Sequence, residues 1–142
     1  MTYKVNLKII DKGENTDKDI LLNNPSLQNK FIRPAYGFQE GCCFNYALNE
    51  YYLGCCNNAY SYIVNNYKKI PILQARKGDI VVYFDDYKEI SHFAKIEETN
   101  GTIKGTTITS KWGKLGIYKT NIYELPTCYG NKCKCEIWNK GK

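Results

Sequence analysis

Two residues of this chain have the types and the order that thiol chemistry requires. His92, the only histidine, lies in the apolar run Ile90-Ser91-His92-Phe93-Ala94-Lys95-Ile96. That run follows Lys77-Gly78-Asp79-Ile80-Val81-Val82-Tyr83-Phe84, which reads as a strand. Some fifty residues upstream, Gly41-Cys42-Cys43-Phe44-Asn45-Tyr46-Ala47-Leu48 reads as the start of a helix. A thiol at a helix N-terminus, followed by a histidine on a strand, is the order a cysteine hydrolase needs. Thiolate is the nucleophile, and both a helix N-terminus and a neighbouring imidazolium raise the thiolate fraction. A lone histidine on an apolar strand is more often an ordinary strand residue. The cysteine placed ahead of it tips the reading toward a Cys43–His92 pair.

A third residue is sought on the next strand. Asn100-Gly101, flanked by β-prone residues, reads as a two-residue type I′ hairpin. Counting outward from that turn pairs Thr99 with Thr102 and brings Thr109 opposite His92, where directly opposed side chains share a face. Thr109 would then orient the imidazole. Gly105 inside the second strand signals a possible bulge, and one extra residue would put Ser110 there instead. Both assignments stand open, as does the plain reading of Thr107 and Thr109 as strand-forming threonines. Gln39 is a candidate amide donor to an oxyanion, set against a solvent-facing loop glutamine. Asp79, after Gly78 at a strand start, reads as a turn or cap residue.

These residues are positioned by elements legible along the chain. Residues 3–10 alternate as a short strand, 11–19 form a polar loop, and 20–41 are irregular, with Pro25 and Pro34 as breakers. The pattern predicts helices over Cys43–Leu53, stopped by Gly54, and over Asn57–Lys69. In the second helix Tyr60, Ile63, Val64 and Tyr67 form one apolar face. Strands are predicted at Asp79–Phe84, Ser91–Glu98, Thr102–Lys111, Leu115–Lys119 and Cys135–Asn139. Helices followed by an antiparallel meander define an α+β fold. The expectation is one domain over 1–142, with an N-terminal extension at 1–40 and a core at 41–139.

The 142 residues carry a net charge of +6, a charged fraction of 24% and a hydrophobic fraction of 43%, which suits a globular domain. The charge is almost wholly lysine, Arg33 and Arg76 being the arginines. The lysines form no stripe, which argues against a nucleic-acid partner while leaving an anionic one open. Neither an apolar leader nor a membrane-length apolar run is visible, so the expectation is a cytoplasmic protein, open to delivery into another cell. Seven cysteines, as Cys42-Cys43, Cys55-Cys56, Cys128, Cys133 and Cys135, fit neither a disulfide framework nor paired zinc knuckles. Reduced, mostly buried thiols are expected, with no metal or cofactor. Aromatic residues make up 14% of the chain, and of Tyr36, Phe38, Tyr46, Tyr83 and Trp112 the last is the expected cleft-edge residue.

In this order the segments resemble the NlpC/CHAP branch of papain-like cysteine hydrolases. The matching pieces are Cys43-Phe44-Asn45-Tyr46-Ala47 at a helix start, Gly78-Asp79-Ile80-Val81-Val82-Tyr83 as a first core strand, and His92-Phe93-Ala94-Lys95-Ile96 as a second. Ser110-Lys111-Trp112-Gly113 and Tyr129-Gly130 are similar to further segments of little-characterised bacterial members. The resemblance covers roughly residues 40–138. It implies a Cys-bearing helix packed on a small antiparallel sheet, Cys43 as nucleophile, His92 as general base, and a peptide or amide substrate. Cys43 is favoured over Cys42 because Tyr46 and Ala47 then fall three and four residues on. The alternative is a catalytically inactive module that binds a peptide or small ligand in the same cleft, as an inhibitor or regulator.

Overall fold

The computed structural model describes residues 30–33, 43–48, 56–112, 116–125 and 134–140. Within them lie β1 (Phe31–Arg33), α1 (Cys43–Leu48), α2 (Cys56–Asn66), β2 (Lys68–Ile70), a 3-10 turn (Ile72–Gln74), β3 (Ile80–Phe84), β4 (Ile90–Glu98), β5 (Thr107–Trp112), β6 (Gly116–Asn121) and β7 (Cys135–Asn139). The seven strands form one sheet in the order β1-β6-β5-β4-β3-β7-β2. Every pairing is antiparallel. The fold is α+β, as expected. The strand read over 3–10 lies outside the described residues. Phe31–Arg33, within the segment read as an extension, pairs with β6, so the sheet draws on residues ahead of 41.

The sheet is covered on both sides, as its β-branched and aromatic central strands require. On one face α1 and α2 pack over Ile80, Val82, Phe93 and Trp138, with Phe44, Ala47, Ala59 and Ile63 as the helical contribution and Tyr67 following just after α2. Fully burying one such side chain is worth about 1.5–3 kcal/mol. On the other face Val81, Tyr83, Ala94, Ile96, Ile108 and Ile137 are covered by Ala75, Ile122 and their neighbours in the connections.

Three sequence expectations are corrected. The second helix ends at Asn66 rather than Lys69, because Lys68–Ile70 leaves it to pair with β7 as an edge strand. Asn66 marks the exit, its side-chain amide donating to Tyr62 O at 2.8 Å. Its buried stripe runs through Ala59, Ile63 and Tyr67, while Val64 is 43% exposed. The third correction is the β4–β5 register. Lys95, not His92, lies opposite Thr109, and Ile96 lies opposite Ile108. A type I′ turn needs positive φ at both central residues. Here Gly101 has φ 87°, but Asn100 is not left-handed. Instead the Asn100 carboxamide oxygen accepts from Thr102 N at 3.0 Å and Thr102 Oγ1 at 2.6 Å. Thr99 Oγ1 accepts from Gly101 N, and Thr106 Oγ1 donates to Thr102 O. The threonines thus build a wide loop over residues 99–106 and delay the start of β5 to Thr107.

Gly105 is no bulge; it is the floor on which that loop closes, since a Cβ there would collide with the Asn100 carboxamide. Gly105→Ala is therefore expected to destabilise the domain by about 1–3 kcal/mol, because Asn100 is already held by Thr102. Urea unfolding of the two proteins checks this, with an unchanged midpoint counting against the loop's closure on Gly105.

Candidate functional site

Cys43 is the first residue of α1, and its half-buried side chain packs against the core beneath the helices. Phe44 beside it meets Phe93 of β4 edge to face, with ring centroids 5.9 Å apart. Tyr46 lies under Lys95, whose Nζ is 4.3 Å from the ring centroid. Phe93 and Lys95 therefore face α1. Consecutive strand residues point to opposite faces, so His92 points away from α1.

The pairing of β3 with β4 gives the same result. His92 lies opposite Tyr83, and their rings are 6.0 Å apart at 41°. Tyr83 belongs to the core on the far face and donates its hydroxyl to Ile122 O at 2.6 Å. On its other side Tyr83 pairs with Cys135 of β7, also packed on that face. His92, Tyr83 and Cys135 thus form a row across three strands, with the tyrosine between imidazole and thiol. The sheet lies between Cys43 and His92.

Electrostatics follow burial. His92 is 1% exposed, and desolvation of the imidazolium lowers its pKa from the usual 6.5 to about 3. A general base paired with a thiolate must carry a proton near neutral pH, and this site opposes it. Burial, followed by the proximity of Cys135 and Tyr123, raises the Tyr83 phenol well above its ordinary value.

Thr109 is buried on the α1 face, opposite Lys95 and Lys119, and its Oγ1 makes no hydrogen bond among the described residues. It does not orient His92, because the wide loop displaces β5 by three residues from the two-residue-turn register. Counting on from Lys95 and Thr109, His92 falls opposite Trp112. Ser110 shares the His92 face, two residues nearer the loop, and pairs with Tyr118. Asp79 is the turn residue the sequence implies: its carboxylate accepts from Arg76 N at 2.8 Å and Asn139 Nδ2 at 2.7 Å. Burial outweighs those bonds and raises its pKa. Gln39, Cys42, Cys55, Cys128, Cys133, Gly113, Tyr129 and Gly130, together with Tyr36 and Phe38, lie outside the described residues.

The sequence reading did not single out a cavity of about 450 Å³ formed by α2, β2, β7 and the β3–β4 turn. Tyr60 and Phe84, in contact edge to face with ring centroids 5.8 Å apart, line it side by side. Glu136 lies in its wall, and Lys69, Lys88 and Lys134 line it as well. Its one sequence signal was Tyr60, assigned to the core. Among the described residues no three His, Cys, Asp or Glu side chains are grouped to hold a metal. No described helix is long and apolar enough to cross a membrane.

Comparison with protein-family models, curated proteins and solved structures finds no match to this chain.

The depressed His92 pKa has a signed consequence. The unfolded state binds a proton near pH 6.5 that the folded state refuses until about pH 3. Stability is fully present above pH 6.5 and is lost as pH falls through that window, by a total on the order of 5 kcal/mol. His92→Leu removes this titration. Urea unfolding from pH 7 to 4 should show the wild type losing up to ~1.4 kcal/mol per pH unit more than the variant. Parallel curves would mean that His92 protonates freely in the folded protein.

Proposed function

We propose that this domain is a papain-like module of the NlpC/CHAP type that binds a peptide or small ligand without hydrolysing it. The papain-like part rests on the sequence resemblance and is supported by a Cys-initiated helix packed on an antiparallel sheet. The observation that carries the non-catalytic part is the position of His92: fully buried, held neutral, and on the face turned away from α1. A thiolate–imidazolium pair needs the two groups within hydrogen-bond reach and a histidine that accepts a proton near neutrality. Thr109, on the α1 face, supplies neither.

One observation favours hydrolysis: Cys43 stands at the first residue of α1 and is not fully buried. Thiol reactivity separates the two readings. Iodoacetamide labelling of each cysteine is followed by mass spectrometry at pH 8 and pH 6. An ordinary thiol of pKa about 8.5 should slow by nearly two orders of magnitude between them, and this is expected for Cys43. Labelling of Cys43 that stays fast at pH 6, outruns the other cysteines and slows in His92→Ala would establish the Cys–His hydrolase instead.

A further inference from the structure

The cavity beside α2 has a floor and a rim of different chemistry. Its floor is aromatic: Phe84 comes from the end of β3, and Tyr60 from α2 also packs edge to face on Trp138, at 6.1 Å. The one acid among the described wall residues is already satisfied. Glu136 Oε1 accepts from the Tyr60 hydroxyl at 2.9 Å and from Trp138 Nε1 at 3.1 Å, and Oε2 accepts from Lys69 Nζ at 3.1 Å. Burial and the Glu136 carboxylate push the Tyr60 phenol up to about 12, so it remains a neutral donor to that acid.

The rim carries two further cations. Lys134 Nζ makes one ion pair among the described residues, with the exposed Asp86 at 3.5 Å, a surface pair of small worth. Lys88 makes no ion pair among the described residues, and it is the one described non-glycine residue with positive φ, at 63°. Left-handed backbone is costly for lysine. The β3–β4 turn imposes it: Asp85 Oδ1 accepts from Tyr87 N and Glu89 N, and Asp85 O accepts from Lys88 N. Three lysines against one carboxylate leave the described lining at a net charge of +2.

We propose that this cavity is a ligand site, and that it takes a small aromatic carboxylate, with the ring over Tyr60 and Phe84 and the anion between Lys88 and Lys134. The volume of about 450 Å³ suits a small ligand. Charge complementarity selects an anion over a neutral or cationic analogue. This deepens the binding reading above and rests on it.

The test is a titration of the full chain, followed by ¹H–¹⁵N spectra, with 2-naphthoate, 2-naphthalenemethanol and the uncharged tripeptide acetyl-Gly-Gly-Phe-amide as probes. Naphthoate is expected to bind at least 10-fold tighter than the alcohol, shifting amides of residues 58–62, 84–89 and 134–136. The double variant Lys88→Gln/Lys134→Gln should weaken naphthoate at least 10-fold, and each single variant about 3-fold, with the alcohol unchanged. Lys68→Glu, outside the cavity, should leave naphthoate within 2-fold. The spectra themselves report whether each variant folds. Equal binding of acid and alcohol, shifts elsewhere, or binding of the tripeptide alone would overturn the proposal. A fast-labelling Cys43 would overturn the non-enzymatic reading without altering the titration, so the two failures are distinguishable.

Discussion

Successive side chains of a β-strand point to opposite faces of the sheet, and in β4 both faces are buried. Phe93 enters the core beneath α1, so His92 must enter the core on the other side. The constraint is stiff. Moving His92 to the α1 face means slipping β4 by one residue against both neighbours, which would exchange every buried side chain of the strand. Val82 would lose Phe93 as its partner and Tyr83 would lose His92. Each apolar side chain expelled in such a slip costs about 1.5–3 kcal/mol, far more than a single new hydrogen bond returns.

The same parity sorts the rest of the protein. The α1 face carries Cys43, Phe93, Lys95 and Thr109, and the cavity by α2 lies at its far edge. The opposite face carries the row of His92, Tyr83 and Cys135 set into an aliphatic core. The imidazole and the phenol are tolerated there because both are kept in their uncharged forms: burial lowers the His92 pKa and raises that of Tyr83. Groups held neutral in this way are suited to packing, and they are poor carriers of protons at neutral pH. Among the described residues, accessible positive charge lies elsewhere, on lysines such as Lys69, Lys77 and Lys134.

The elements were largely legible in the sequence, and their relative orientation was not. Ile80–Phe84 and Ile90–Glu98 announce themselves by apolar runs, and Cys135–Asn139 was placed to the residue. Those runs carry no face signal, however. Phe93, Ala94 and Ile96 are all buried, so no polar–apolar alternation says which side His92 takes. The β4–β5 register was read from Asn100-Gly101 as though the backbone alone closed the turn, whereas Thr99, Thr102 and Thr106 close it through side chains. Lys68 and Lys69 continued a helical pattern locally, yet with Ile70 they form a strand through pairing with β7, a long-range choice that no local window contains. The α2 cavity was invisible for a similar reason, since its residues are brought together from α2, β2, β3, β7 and a turn.

The face occupied by His92 is best settled by through-space contacts of its ring protons in solution, measured as nuclear Overhauser effects on the folded protein. The account predicts contacts from the imidazole to the Tyr83 ring, and none to the Cys43 β-protons. Strong contacts between the His92 ring and Cys43, with Tyr83 silent, would contradict it and put thiol and imidazole on one face.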